Sequence, residues 1–174
     1  MEELGFRISQ VRKEDVAILC DISRKTFYET FAPFNTEENI QAYLNANLSV
    51  TKLLTEINTA GSLFYFIFKN QVLVGYLKLN SGNAQSEPNT NALEIERIYV
   101  LKDYHHQRAG LRLFEKAKSI GLKNQNDYIW LGVWEKNTEA IAFYKKLGFT
   151  QFDKHIFILG NDPQTDLMMK YNLK

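Results

Sequence analysis

The stretch Tyr99–Ala117, YVLKDYHHQRAGLRLFEKA, runs from an apolar, strand-like end through a polar, basic loop into an amphipathic helix. A strand that feeds directly into a helix exposes the helix's first backbone N–H groups at the sheet edge. Those unpaired donors, with the positive end of the helix dipole, attract an anion, typically phosphate. His105, His106, Gln107, Arg108, Ala109, Gly110 and Leu111 form that junction. Immediately before it, LEIERIYV (93–100) reads as a strand in which Glu94 and Glu96, two apart, share one face while Leu93, Ile95 and Tyr99 share the other. Two acids on one strand face beside a bound ligand are candidate proton acceptors; an ordinary ion pair is the alternative. Further on, WEKNTEAIAFYKKLGF sets Asn137 and Tyr144 seven apart, two helical turns, and so on one helix face. Taken singly, Asn137 could cap its helix and Tyr144 could be a half-buried core tyrosine. His105 and His106 are adjacent, His155 is distant and there is no cysteine framework, so no metal site is expected.

The elements that must position these residues follow from periodicity. FRISQV alternates as a strand, and Val16, Leu19, Cys20, Ile22, Phe27 and Phe31 then recur at helical spacing. Asn35 before TEENIQAYL, with Glu38 three residues on, reads as an Asn-led capping box, and Ser49 starts a further helix through Ile57. LFYFIFKNQVLVGYLKLN holds two strands turning at Asn70 and Gln71. SGNAQSEPNTNA (81–92) is polar and turn-forming, and is expected to be a mobile surface loop. After the strand at 93–100 comes a helix to about Lys123, then a buried strand, YIWLGVW, and a helix from Asn137 ending at KKLGF. There Lys145 and Lys146 occupy the last turn and Gly148 can take the left-handed cap conformation. FDKHIFILG and TDLMMKY give two more strands, expected to be antiparallel. The order implies an α/β (α+β) fold, a mixed sheet with helices on both faces. Its strand, loop, helix, strand unit is one right-handed crossover, which puts a ligand at the carboxyl ends of the strands.

Bulk properties narrow the function. The 174 residues suit a single domain spanning 1–174, with 45% apolar and 24% charged residues, as in a soluble globular protein. The formal net charge is +1 and the cations are dispersed, so neither a nucleic-acid footprint nor a membrane patch is indicated. Any anion must be held by local charge. Cys20 is the single cysteine, read as a buried structural thiol. The start MEELGFRIS has acids where a signal peptide needs lysines, and the longest apolar run, LFYFIF, is too short to span a bilayer, so a cytoplasmic location is expected. A two-fold homodimer is the default assembly.

The run Leu93–Phe149 resembles the GNAT superfamily of acyl-CoA-dependent N-acetyltransferases, whose pyrophosphate loop reads Q-x-x-G-x-G or A and leads into a helix. Taking Gly110 as the second small residue sets Leu113, Phe114 and Ala117 on the apolar helix face, whereas taking it as the first would bury Glu115. In that register His105 stands where Gln or Arg is usual and Arg108 where the first Gly is usual. Arg108 gives up glycine's tolerance of positive φ but could put a permanent forked donor on a phosphate. Asn137, Ala140, Tyr144, Lys146, Gly148 and Phe149 match the second CoA motif, N-x-x-A-x-x-x-Y-x-K-x-G-F. LEIERIYV, DYIWLGVWEKN, AIAFYKKLGF, QTDLMMK and FYETFAPFNTEENIQAYL together are similar to PaiA-type polyamine acetyltransferases.

The resemblance implies a mostly antiparallel central sheet splayed between its fourth and fifth strands, and acetyl-CoA as cosubstrate. It implies acetyl transfer to a small amine, spermidine or spermine above all, directly within a ternary complex. Tyr144 would then protonate the departing thiolate, Glu96 or Glu94 would take the amine's proton, and the backbone at Ile98, Tyr99 and Val100 would bind pantetheine like an added strand. Amides from His106 to Leu111, with Arg108, would hold the pyrophosphate, Asn137 would contact pantetheine, and His105, Gln107 and Lys146 complete the cofactor set. Two alternatives stay open at this point: a CoA-responsive binding or regulatory protein without catalysis, and an N-acetyltransferase acting on a peptide N-terminus or another small amine.

Overall fold

The computed structural model describes residues 5–174; the acidic start MEEL, part of the signal-peptide reading above, lies outside the described residues. β1 (Phe6–Gln10) is followed by three helices, α1 (Val16–Phe31), α2 (Glu37–Asn47) and α3 (Val50–Ile57). β2 (Ser62–Lys69), β3 (Val72–Ser81) and β4 (Ala92–Val100) come next. Then α4 (Ala109–Lys123), β5 (Tyr128–Trp134), α5 (Thr138–Leu147), β6 (Thr150–Leu159) and β7 (Asp162–Asn172) complete the chain. The strands form one sheet in the order β1-β2-β3-β4-β5-β7-β6. Every pairing is antiparallel except β4 with β5.

Local chemistry explains most boundaries. Asn70 and Gln71 both have positive φ, as the tight turn between β2 and β3 requires. The Ser49 side chain accepts from Lys52 N to cap α3. α5 begins on Asn137, whose side chain accepts from Ala140 N, and ends on Gly148 at φ 106, with Phe149 N donating back to Tyr144 O. One cap differs from expectation. The N-cap of α2 is Thr36, accepting from Asn39 N, while Asn35 donates its side-chain amide back to Phe31 O. Two residues with capping side chains stand next to each other, and the approach of the chain from α1 selects the second. Cys20 is buried, its thiol directed at Leu48 O.

The sheet separates two cores. α4 and α5 cover one face, where Leu113, Phe114, Ala117, Tyr144 and Phe149 pack on Leu77, Leu79, Leu93 and Ile95. α1 to α3 cover the other, with Leu19, Phe27, Phe31, Ile40 and Leu53 against Phe64, Phe66 and Tyr76. β4 contributes to both cores through an irregularity. Lys78 and Leu79 of β3 pair with Arg97 and Ile95 of β4, so Glu96 is an extra residue, a bulge that reverses the alternation. Leu93, Ile95, Ile98 and Val100 therefore face α4 and α5, while Glu94, Arg97 and Tyr99 face α1 to α3. Tyr99 thus stacks on Tyr76, with ring centroids 6.0 Å apart, and does not share a face with Leu93 and Ile95 as strict alternation predicted.

β4 and β5 pair only over Ala92–Glu94 against Tyr128–Trp130, after which no ladder joins them. The expected splay between the fourth and fifth strands is therefore present. The segment between β3 and β4 departs from the mobile loop expected, because polar side chains tie it to the sheet. Trp130 Nε1 donates to Gln85 Oε1 (2.7 Å) and Tyr128 Oη to Asn89 Oδ1 (2.9 Å). No helix among the described residues is long and apolar enough to cross a membrane.

Candidate active site

A cleft of about 990 Å³ opens where β4 and β5 part, lined from both faces of the sheet. Its one wall is Ile98, Tyr99 and Val100 of β4, and its loop end is His105, His106, Arg108, Ala109, Gly110 and Leu111. Asn137, Tyr144 and Lys146 of α5 close the opposite side, and Glu94 and Glu96 lie at the inner end. Of the residues expected to bind cofactor, Gln107 alone is not a lining residue. Its side-chain oxygen meets Lys69 Nζ and its nitrogen donates to Asp103 O, away from the cleft.

At the loop end the backbone keeps the shape that glycine would favour. Arg108 is the N-cap of α4 at φ 71 and ψ 5, and His106 also has positive φ. An arginine thus occupies the left-handed conformation at a cost of about 1–2 kcal/mol, and the first amides of α4 stay open to the cleft. His105 Nε2 lies 2.8 Å from Val100 O, tying the loop to the end of β4, and His106 Nε2 lies 2.8 Å from Glu139 Oε1. Gly110 faces the Phe143 ring of α5, which a Cβ at position 110 would touch at 3.4 Å.

The two glutamates share a face as expected, yet their surroundings differ. Asn80 Nδ2 donates to Glu94 Oε2 (3.0 Å) and to Glu96 Oε2 (2.6 Å). Glu96 also pairs with Lys78 and, at 3.7 Å, with Arg97. Arg97 in turn makes a bidentate pair with Glu56 of α3 (2.7 and 3.1 Å), and Lys78 reaches the same carboxylate at 3.1 Å. Burial pushes the Glu96 carboxyl up, but Arg97 and Lys78 outweigh it and hold the group below its ordinary range. Glu94 is only 3% exposed, and burial pushes its carboxyl above the ordinary range against the hydrogen bonds of Ser86 and Asn80. Glu96 is locked as an anion, whereas Glu94 is the more basic carboxylate.

Tyr144 is buried against Phe143 and Phe149, and burial pushes its phenol up, so it stays protonated at working pH. The far wall was not legible in the sequence. Phe27, Phe31, Tyr43 and Phe157 form an aromatic surface there, Trp130 and Trp134 stand beside it, and Gly132 leaves space below His155 and Asp166. Burial raises the Asp166 carboxyl to about 6, against the pull of His155. His155 Nε2 lies 3.6 Å from Asp166 Oδ2, and its Nδ1 lies 2.8 Å from Glu87 Oε1, off the line of a straight hydrogen bond.

A mixed sheet parted between two parallel strands, with open helix amides at one end of the gap and a tyrosine from the following helix on the side across from β4, defines an acyl-CoA-type transferase site. The comparisons make the family definite. The acetyltransferase (GNAT) family matches residues 18–149, more than half of the chain, and the chain belongs to that family. An uncharacterized N-acetyltransferase of Lactobacillus delbrueckii subsp. lactis is 42% identical over 167 residues, covering 95% of this chain and 96% of that protein. The spermidine N(1)-acetyltransferase of Thermoplasma acidophilum is 28% identical over 150 residues, covering 84% and 89%. The crystal structure of the PaiA N-acetyltransferase from Thermoplasma acidophilum in complex with coenzyme A superposes with a TM-score of 0.78 at 26% identity, covering 96% of this chain and 98% of that one. The protein is an N-acetyltransferase with acetyl-CoA as its cosubstrate. Its residues fit that molecule: unpaired helix amides and Arg108 for diphosphate, an unpaired edge of β4 for an amide-bearing arm, and a protonated phenol beyond it.

Proposed function

We propose that this enzyme moves the acetyl group to a primary amine of a polyamine such as spermidine or spermine, directly within a ternary complex. The observation that carries the reading is the charge of the acceptor wall. Glu94 and Asp166 line it, Glu87 stands behind His155, and aromatic rings supply the rest. Among the described lining residues, the fixed cation on that side is Arg97, which Glu56 and Glu96 neutralise. Arg108 and Lys146 belong to the loop and α5 end. A cationic, partly aliphatic acceptor suits such a wall. The kinship with a spermidine acetyltransferase supports the same class.

Acetyl-CoA supplies an activated acyl group as its thioester. Amides from His106 to Leu111, with Arg108, hold the diphosphate, Asn137 contacts the pantetheine arm, and the edge of β4 from Ile98 to Val100 aligns that arm and offers an N–H to the carbonyl oxygen. His105 fixes the loop to β4, and Lys146 adds positive charge at the cleft rim. An acceptor amine is mostly protonated at neutral pH, so it must first lose a proton to become nucleophilic. Glu94 takes that proton, directly or through one water, because its carboxyl is pushed up while Glu96 is committed to Lys78 and Arg97. The freed lone pair attacks the acyl carbon, the C–S bond breaks, and Tyr144 donates its proton to the departing sulfur as the second nitrogen proton replaces it.

The test is thiol release from acetyl-CoA over a panel of amines that includes spermidine, spermine, monoamines and a short peptide. Release with polyamines above the others is expected. Release on the peptide alone would reassign the acceptor, and coenzyme A binding without release on any amine would favour a regulatory protein. In the same assay Tyr144→Phe should lower turnover by about 10²-fold or more with little change in acetyl-CoA binding, and an unchanged rate would remove its acid role.

A further inference from the structure

We infer that Ser86, on the segment between β3 and β4, is the positioning residue that holds the Glu94 carboxylate in its proton-accepting orientation. The inference rests on the reading of Glu94 as proton acceptor given above and extends the machinery to a loop that no motif touches. Ser86 N donates to Glu94 Oε2 at 2.8 Å, and Ser86 Oγ donates to the other oxygen, Oε1. Asn80 Nδ2 adds a third donor on Oε2. A carboxylate has about four lone-pair sites, so these donors leave roughly one for an incoming proton, and they fix where it points.

The serine is itself held on both sides. Its neighbour Gln85 accepts from Trp130 Nε1 of β5 at 2.7 Å and donates to Asn89 O at 2.9 Å. Its other neighbour, Glu87, meets His155 of β6. Anchoring residues 85 and 87 to two strands of the far half-sheet leaves the backbone at 86 little freedom, so both donors arrive preorganised. A loop whose polar side chains merely cover the surface needs none of these anchors.

The charged groups around Glu94 define what else could move its titration. Glu96 and Arg97 lie on its own strand, Lys78 on β3 and Glu56 on α3, and these four form one balanced set. Glu87, next to Ser86 on the loop, is engaged by His155, and His155 and Asp166 line the same cleft from β6 and β7. Ser86 is uncharged, so replacing it alters none of these charges.

The test uses the whole enzyme in two readouts. In the first, the carboxyl carbons of labelled glutamate are followed by NMR through a pH titration, with the Glu94 signal identified by its loss in Glu94→Gln. Ser86→Ala should move that titration to higher pH, because a donor to the charged form is gone, and Ser86→Thr should return it toward the wild type. In the second, the acidic limb of kcat/KM for the best amine of the panel should move the same way in Ser86→Ala. On that limb the loss should be roughly tenfold, the worth of one charge-assisted hydrogen bond, with the KM for acetyl-CoA unchanged. A residue that only stabilised the loop would lower the melting temperature and leave both titrations in place, and that result overturns the inference. If Glu94→Gln keeps the acidic limb, the base assignment fails, whatever the NMR titration reads for Ser86. If Glu94→Gln abolishes the limb while Ser86→Ala leaves it fixed, the Ser86 inference alone fails.

Discussion

Replacing Glu56 by Gln removes one charge from a nearly dry four-charge cluster beside the β4 bulge and tests whether that cluster is a single charge-balanced unit. The side chains of Lys78, Arg97 and Glu56 are 6%, 10% and 12% exposed, and Glu96 is 26% exposed. Two cations and two carboxylates balance. Glutamine keeps the shape but turns an amide N–H₂ toward donors, and it leaves one positive charge in excess. Breaking a buried pair by removing one partner costs about 3–5 kcal/mol, a large share of the roughly 5–15 kcal/mol that holds a domain together. At about 2–4 °C per kcal/mol for a chain of this size, the melting temperature should fall by roughly 6–20 °C. Urea unfolding followed by circular dichroism gives the free energy directly. Adding Lys78→Met restores neutrality, so the double variant should be more stable than the sum of the two single losses implies, and the cycle isolates that coupling. A Glu56→Gln loss below about 1 kcal/mol, or strict additivity with Lys78→Met, would refute the view that the cluster is a single charge-balanced unit.

Two further expectations concern the loop and α5. Arg108→Gly relieves a left-handed residue worth roughly 1–2 kcal/mol but adds glycine's chain entropy of about 0.5–1 kcal/mol. Stability should therefore stay level or rise slightly while coenzyme A binding weakens; tighter binding by calorimetry would show that the guanidinium obstructs the phosphates. Asn137→Ser keeps an oxygen for Ala140 N, whereas Asn137→Ala loses about 1 kcal/mol of capping. Both should weaken coenzyme A binding alike, and a serine variant that binds as the wild type does would reduce Asn137 to a cap.

What could be read from the residues alone was whatever local chemistry determines. The α5 start at Asn137, its end at Gly148 and the turn at Asn70 and Gln71 each depend on neighbours within a few positions, and each lies where the sequence implies. The shared face of Glu94 and Glu96 was likewise visible. Strict alternation misplaces Tyr99 because a bulge is a property of two paired strands, and nothing within β4 announces it. The segment after Ser81 looked unanchored because its partners are remote in sequence: Gln85 and Trp130 are 45 residues apart. Position alone groups Gln107 with the loop donors, but its side-chain oxygen is engaged by Lys69, 38 residues earlier. The far wall of the cleft is not legible in the sequence for a topological reason. β7 inserts between β5 and β6, and only that order brings His155 and Asp166 beside Gly132.

The bulge at Glu96 also determines which kinds of change the site can survive. Parity along β4 switches sign at that residue, so the inward or outward destiny of everything from Arg97 to Val100 depends on a residue count. A point substitution in this strand alters the contacts of one side chain and leaves its neighbours on their own faces. Losing or gaining a single position would instead swing Arg97 into the aliphatic side and Ile98 toward the tyrosines, exchanging the two linings at once. The fourth strand is therefore a segment whose length is under tighter constraint than its composition.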